Sequence, residues 1–331
     1  MTHDRPPSAP CPSFTVVITT YNRWELLGRA VDSALAQTQP CEVVVVDDGS
    51  TDHTASYMQE RVAQHSQGDR PLRYHRNPTN QGHSGSVNTG VNLAQGDWIK
   101  FLDDDDYLDP ACVATMAAAI VQHPQAVICS GVAAQVNLQG AEQSRTLHPG
   151  PAPRFYIPQG YIHYGMLLEQ IPFGTPVQVA VQRQAFQKTQ GWESSLDTNF
   201  DDIDSWVSVA QFGDAIFLGQ CLAYRTLWPG GLNQRFSVGD RLQTHLRIKA
   251  KIYPLVAAEL QSQIPPFSVI ENYLRLHWSL VAFKGKQWGR GWRLGRSAWG
   301  DWAAWKLLWS LRWQRRGWAK GGAFPVEKIP F

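Results

Sequence analysis

Three groups of carboxylates have the type and spacing for chemistry. Asp103-Asp104-Asp105-Asp106 follow an apolar run at 98–102, Asp47-Asp48 follow another at 42–46, and Asp201-Asp202 with Asp204 open a stretch of helical pattern. Like charges a few ångströms apart cost several kcal/mol in a partly desolvated site. A hard divalent cation relieves that cost. Mg²⁺ takes one or two protein carboxylates and fills its other positions with water and phosphate oxygens. Four consecutive Asp after a buried strand therefore point to binding of a metal and a diphosphate. The plainer alternative is a solvated acidic turn whose Asp caps the next helix. The position of the run, in line with two other polar strand ends, disfavours that alternative.

These groups need strands to carry them. Phe14–Thr20 (FTVVITT) and Glu42 to Val46 (EVVVV) are β-branched apolar runs that read as buried strands. Between them, Leu26, Leu27, Ala30, Val31, Ala34 and Leu35 share one face of a helix beginning at Trp24. Ser50 or Thr51 can cap a helix starting near Thr54. Strands are predicted at 72–75 and 98–102, with a helix over 87–94. Such strand–helix alternation makes βαβ units and a mainly parallel sheet. Ligands of these sheets bind beyond the carboxyl ends of the strands. The ends at Thr19-Thr20-Tyr21, Asp47-Asp48 and Asp103 to Asp106 should converge there.

Farther along, a helix is expected over 111–122 and a strand over 126–136. Residues 139–176 are rich in Gly and Pro and read as one long loop. A strand at 177–181, a helical turn at 184–189, and strands at 215–218 and 222–226 follow. Helices are predicted over 243–260 and 270–283.

The chain has 331 residues, 43% of them hydrophobic, enough for a proper core. Its net charge of +2 conceals an asymmetry. Residues 274–320 hold nine of the 14 Trp and eleven Lys or Arg against the single acid Asp301, a local +10 that leaves −8 elsewhere. Trp299, Trp302, Trp305, Trp309 and Trp313 would form a stripe if 297–316 is one helix, although Gly289, Gly291, Gly295 and Gly300 suggest broken helices. Interfacial Trp with Lys and Arg fits an anionic membrane surface. Nucleic acid is the less coherent partner. No apolar run is long enough for a transmembrane helix. Five scattered Cys form no metal or disulfide pattern and fit a cytosolic chain. The Pro-rich start over 1–13 reads as a short disordered arm rather than a signal peptide.

Several blocks together resemble a family. Val17-Ile18-Thr19-Thr20-Tyr21-Asn22-Arg23, Val45-Val46-Asp47-Asp48-Gly49-Ser50-Thr51-Asp52, Asn80-Gln81-Gly82 with Asn88-Thr89-Gly90, and Gly96-Asp97-Trp98-Ile99 with Phe101-Leu102 before the four Asp are similar to family 2 glycosyltransferases. The likeness spans about residues 14–225 and implies a fold of GT-A type: an α/β nucleotide-diphospho-sugar transferase fold, with a Rossmann-like, mainly parallel mixed sheet flanked by helices. A C-terminal helical extension follows. It divides the chain into the arm 1–13, a catalytic domain 14–235 and a helical, Trp-rich basic region 236–331.

The resemblance also implies roles. Thr19 and Tyr21 match residues that hold the nucleoside, and Asp48 matches the carboxylate that accepts from the base. Asp103 and Asp105 match the DxD motif, with Asp105 the metal ligand for Mg²⁺ or Mn²⁺, Asp103 nearer the nucleotide and Asp104 able to touch the nucleotide-sugar. Asp202 matches the general base, with Asp201 where Glu is commoner. Val87 stands where many members have Arg, which puts one diphosphate contact in doubt. Gly191-Trp192 resembles a turn near the acceptor, or serves as a packing turn. His163 and Arg235 are weaker candidates.

The implied activity is metal-dependent, inverting transfer from a nucleotide-sugar, UDP-sugar favoured, to a hydroxyl of a lipid-linked saccharide or polysaccharide. The expected place is the cytoplasmic face of the cell membrane, held peripherally. A sugar-nucleotide nucleotidyltransferase would need a Gly-rich basic loop after the first strand, where Thr19 to Arg23 stand instead. A catalytically inactive membrane-bound scaffold is opposed by the intact Asp48, Asp103, Asp105 and Asp202.

Overall fold

The computed structural model describes residues 11–65, 71–148, 150, 153–197, 200–228, 236–318 and 329–331, with side chains left aside over 314–318. Residues 1–10 of the predicted arm and Arg235 lie outside the described residues.

The first half alternates as expected: β1 (Phe14–Thr20), α1 (Trp24–Leu35), β2 (Glu42–Asp47), α2 (Thr54–His65), β3 (Leu72–Arg76), α3 (Gly82–Leu93) and β4 (Trp98–Asp103). β1 lies between β2 and β4, and β3 flanks β2, all parallel. Every residue of β1 and β2 is buried, because helices cover both faces. The two-residue period sorts them: Val16 and Ile18 enter one core cluster, whereas Val17 enters the other with Ile99 and Phe101. α3 starts earlier than predicted, at Gly82, and its Gly90 lets the helix lie close on β1, where a Cβ would stand 2.3 Å from Val17.

The second half continues with β5 (Tyr107–Leu108), α4 (Cys112–Gln122), β6 (Ala126–Val136), β7 (Glu142–Arg145), β8 (Arg154–Ile157), α5 (Gln159–Leu167), β9 (Val179–Gln182), α6 (Arg183–Gln187), α7 (Asp201–Val209) and β10 (Asp214–Thr226). With β11 (Ile329–Pro330) at one edge, the sheet order is β11-β8-β10-β6-β9-β4-β1-β2-β3, with β5 pairing β10 and β7 pairing β6. β9 is antiparallel to both β4 and β6, so the sheet is mixed with a parallel centre.

Three expectations are corrected. The stretch 139–176 is no single loop: it holds β7, β8 and α5. α5 escapes a periodicity search because Ile162 through Leu167 are all buried, leaving no polar face. The two strands expected at 215–218 and 222–226 are one strand, β10, whose register against β6 shifts at bulges between Leu218 and Ala223. The predicted helix over 243–260 is α8 (Val238–Ile252), ended by two short 3₁₀ turns beginning at Tyr253-Pro254.

The C-terminal helices α9 (Phe267–Lys284), α10 (Trp288–Gly295) and α11 (Trp302–Trp318) follow, and β11 (Ile329–Pro330) pairs with β8 at the sheet edge. α9 packs against α8, α10 and α11. Leu242, Ile248, Ile270, Leu274, Ala304 and Leu308 lie in the same core cluster as Val17, Ile99 and Phe101. The single helix considered over 297–316 is instead preceded by a separate α10, and Trp299 lies between the two helices. Among the described residues no helix is long and apolar enough to cross a membrane.

Candidate active site

β1 and β4 end side by side, with Thr19 in register with Asp103 on one side and Val46 on the other. Thr19 is buried and Tyr21 is exposed. Asn22 turns the chain with a left-handed φ of 53°, a conformation Asn tolerates better than most residues. Its side-chain oxygen accepts from Thr51 N at 2.8 Å, and its own N–H donates to Ser50 Oγ at 2.9 Å. The ends of β1 and β2 are thereby tied together.

Asp48 is buried at the end of β2. Its Oδ1 accepts from Asn77 Nδ2 (2.9 Å) and Gln81 N (2.8 Å), and its Oδ2 accepts from Gly82 N (2.9 Å). It therefore anchors the start of α3. A carboxylate has about four acceptor sites, so it retains room for one further donor.

The four consecutive Asp point in different directions because they form a tight turn. Asp106 N donates to Asp103 O at 3.1 Å, and β5 then pairs with β10. Asp104 is buried and meets Arg23 Nη1 at 3.0 Å. Burial pushes its carboxyl up to about 7 against the pull of Arg23. Asp105 accepts from Trp228 Nε1 at 2.8 Å and lies 3.6 Å from Arg23. Trp228 also stacks with Arg23, whose guanidinium is 5.4 Å from the ring centre. Asp106 accepts from Thr226 N at 2.8 Å. Burial, then the neighbouring carboxylates, raises the pKa of both Asp105 and Asp106, the latter strongly.

Carboxylate oxygens of Asp103, Asp105 and Asp106 lie within 4.8 Å of one another. This all-oxygen donor set, whose charge Arg23 and His83 offset only in part, fits a hard divalent cation of the Mg²⁺ or Mn²⁺ kind.

A second acidic group is carried by α7. Phe200 caps that helix with a φ of 75°, a strained value for an aromatic residue, and its ring stacks on His245 of α8 at 5.4 Å. Asp201, Asp202 and Asp204 occupy the first turn, where the helix dipole favours negative charge. Asp202 Oδ1 accepts from Ile203 N at 2.7 Å, while Asp204 pairs with Lys251 at 2.7 Å. Burial, then Asp201, pushes the Asp202 carboxyl up to about 7.

His83 joins the two carboxylate groups. Its Nε2 is 3.2 Å from Asp103 Oδ1 and its Nδ1 is 3.0 Å from Asp201 Oδ2. Burial alone would lower its pKa, but the two carboxylates outweigh burial and raise it well above the usual value. Trp192 lies edge-on beneath it at 5.2 Å. Asn88 fixes Trp192 by two hydrogen bonds, accepting from Trp192 N (2.8 Å) and donating to Trp192 O (2.9 Å). Gly191, at φ 74°, leaves room for that clamp, since a Cβ there would stand 2.4 Å from Asn88 Oδ1. Gly191-Trp192 is thus a packing turn that also supports the site.

Thr19, Asp103, Asp104 and Asp105 come together at one strand end, and Asp202 joins them through the His83–Asp201 bridge. Arg23, His83, Asp106 and Trp228 are partners that sequence reasoning did not assign. Their positions come from long-range packing. The available signals were Arg23 within the first block and Asp106 within the acidic run. His163 is buried in the core, with Nε2 2.9 Å from Val207 O.

Residues 15–189, more than half of the chain, match the protein family described as Glycosyl transferase family 2. Among curated relatives, Escherichia coli chondroitin synthase is 39% identical over 103 residues, covering 31% of this chain and 14% of that protein. The Campylobacter jejuni GalNAc(5)-diNAcBac-PP-undecaprenol beta-1,3-glucosyltransferase is 35% identical over 107 residues, 32% of this chain and 33% of that one. The matches span 14% and 33% of these two curated relatives' lengths. In fold, the chain is similar to Staphylococcus aureus TarS 1-349 in complex with UDP-GlcNAc, with a TM-score of 0.66, 19% identity, and coverage of 93% of this chain and 89% of that one. It is also similar to a Pyrobaculum calidifontis mannosyltransferase in complex with GDP-Man and Mn²⁺, with a TM-score of 0.55, 20% identity, and coverage of 96% and 88%. The mixed sheet with C-terminal helices is thus of the GT-A glycosyltransferase type.

Proposed function

The chain belongs to glycosyl transferase family 2, and from that premise we propose that it moves a sugar from a nucleotide-sugar, UDP-sugar favoured, to a hydroxyl of a saccharide acceptor by a single inverting displacement. The observation that carries this reading is the His83 bridge, which brings the strand-end Asp103 and the helix-start Asp201 to one imidazole. A donor-side cluster and an acceptor-side base must meet in this way for direct transfer between two bound substrates.

Thr19, Tyr21 and Asp48 hold the nucleoside, and Asp103 and Asp104 lie toward the diphosphate and sugar. Asp202 takes the proton of the acceptor hydroxyl as its oxygen attacks the anomeric carbon. The new carbon–oxygen bond forms on the face opposite the bond to the diphosphate, which breaks and leaves with its electron pair. A base holding its proton to about 7 is poised for that task near neutral pH. Asp105, with Asp103 and Asp106, would hold Mg²⁺ or Mn²⁺, which would offset charge on the leaving diphosphate. The donors in the two similar solved folds, UDP-GlcNAc and GDP-Man, support a nucleotide-sugar here.

The acceptor is a polysaccharide or a lipid-linked saccharide, a reading supported by the names of the two curated relatives. We assign residues 14–235 to catalysis and 236–331 to a helical region that holds the chain peripherally at the inner face of the cell membrane. A thermal-shift panel of nucleotide-sugars with Mg²⁺ or Mn²⁺ tests the donor side, because a ligand of the native state raises the melting temperature. No shift with any nucleotide-sugar would overturn the reading.

A further inference from the structure

Nine Trp crowd the end of this chain, and the structure divides them into two kinds. At 3.6 residues per turn, positions 302, 309 and 313 of α11 fall within about 40° of one another. Ala304, Leu308 and Leu311, on the opposite side of the helix, are buried in the core. Trp302, Trp309 and Trp313 therefore project outward, and with Trp288 and Trp292 of α10 they are 57% to 79% exposed. Isolated exposed apolar residues need no explanation, but a contiguous set does.

The rings of α10 connect with α11 through aromatic contacts. Trp292 stacks on Trp299 at 6.3 Å, Trp299 contacts Trp305 at 5.6 Å, and Phe283 links Trp288 to Trp299. The exposed rings of α10 thus run through a half-buried aromatic bridge into α11. Small residues keep α10 close on α9: a Cβ at Gly291 would meet the Phe283 ring at 2.8 Å, and one at Gly295 would meet Ser279 at 2.7 Å. The glycines that suggested broken helices here permit tight packing, which fixes the outward direction of Trp288 and Trp292.

Charge is arranged to match. Arg290, Arg293, Lys306 and Arg312 are exposed among these rings, and none has an acidic partner within salt-bridge distance among the described residues. Arg312 lies over Trp309 at 5.9 Å. The one acid of the segment, Asp301, points to Asn272 Nδ2 (2.8 Å) and caps α11 through Ala304 N (3.0 Å).

We infer that the outward face of α10 and α11 docks on an anionic phospholipid bilayer, with the five Trp at the headgroup level and the basic side chains on lipid phosphates. Trp prefers that depth, with its ring in the acyl boundary and its N–H toward the headgroups. Lys and Arg add attraction to anionic lipid, which salt screens. A purely apolar occupant would leave Arg293, Lys306 and Arg312 without counter-charge; Arg290 alone feels a nearby carboxylate, Asp240. The inference deepens the reading of a membrane-borne acceptor by naming the surface and the lipid charge.

The test is sedimentation of the full chain with vesicles of phosphatidylcholine alone or mixed with phosphatidylglycerol. The wild type should bind the anionic vesicles, more weakly at high salt, with a blue shift of Trp fluorescence. The W302A/W309A/W313A variant should bind at least about tenfold less, with an unchanged melting temperature. Equal binding by the variant, or no binding by the wild type, would overturn the inference. So would self-association that these substitutions abolish while vesicles recruit nothing, or capture of single-stranded RNA in place of lipid. Transfer to a soluble saccharide acceptor is the separate readout: it should persist in the variant. Its absence from a wild type that still binds vesicles would count against the catalytic reading alone.

Discussion

His83 Nδ1 lies 3.0 Å from Asp201 Oδ2, joining residues 118 positions apart in the chain. With the other ring nitrogen on Asp103, the imidazole sets the distance between the strand-end and helix-start carboxylates of the site. His83→Ala should lower kcat for sugar transfer by roughly tenfold to a hundredfold through misplacement of Asp202. The Kd for nucleotide-sugar, read by calorimetry, should change far less. Parallel loss of binding and turnover would contradict a positioning role.

Asp105→Ala should abolish metal-dependent transfer. Asp106→Asn should raise the Mg²⁺ or Mn²⁺ concentration needed for half-maximal transfer by about tenfold or more, while its remaining side-chain oxygen still accepts from Thr226 N. Metal titrations of initial rate check both. Unchanged metal dependence in both variants would remove the cluster from the reaction.

Asp202→Asn should keep nucleotide-sugar binding and lose transfer by roughly 10²–10⁴-fold. In the wild type the rate should rise with pH as this carboxyl loses its proton, with a limb at about 7. The residual activity of the variant should lack that limb.

Stability should follow pH in a defined direction. Asp104 and Asp202 hold their protons to about 7, above the ordinary 3.8. The folded state therefore binds protons more tightly than the unfolded chain. The stability this gives is complete below the ordinary carboxyl range and is lost as pH climbs through about 7. His83, whose pKa is also raised, acts in the same direction. Melting temperatures measured without metal should fall across that window. Arg23→Met removes the cation facing Asp104. Its destabilisation should be larger at about pH 8 than at about pH 5.5.

The carboxylates of this site were legible in sequence because they stand in runs, two of them directly after an apolar strand and the third at the start of a helix. Their separate directions were not. Asp104 turns to Arg23 while Asp106 turns to Thr226 because β5 pairs with β10, a strand more than a hundred residues later. His83 gave no local signal, since both of its partners arrive through the folding of distant segments. The parallel half of the sheet was legible because β1 and β2 are built around β-branched runs. α5 was not, because burial on all sides erases the period on which helix recognition depends. The Trp stripe was legible only in part: Trp299 precedes α11 and Trp305 is half-buried, because the packing of Ala304, Leu308 and Leu311 decides which rings turn outward.

The shared core has a practical consequence for anyone wishing to dissect this chain. Trp278 of α9 reaches His245, His245 stacks on Phe200, and Phe200 opens the helix that carries Asp202. Cutting the chain before α9 would strip Ile270, Leu274 and Leu276 from the cluster that supports Phe101 and Trp206. The excised remainder would lose the backing of the helix that carries Asp202. The last helices are therefore no detachable module, and a chimera that exchanges the Trp-bearing face should graft only outward side chains onto the existing scaffold.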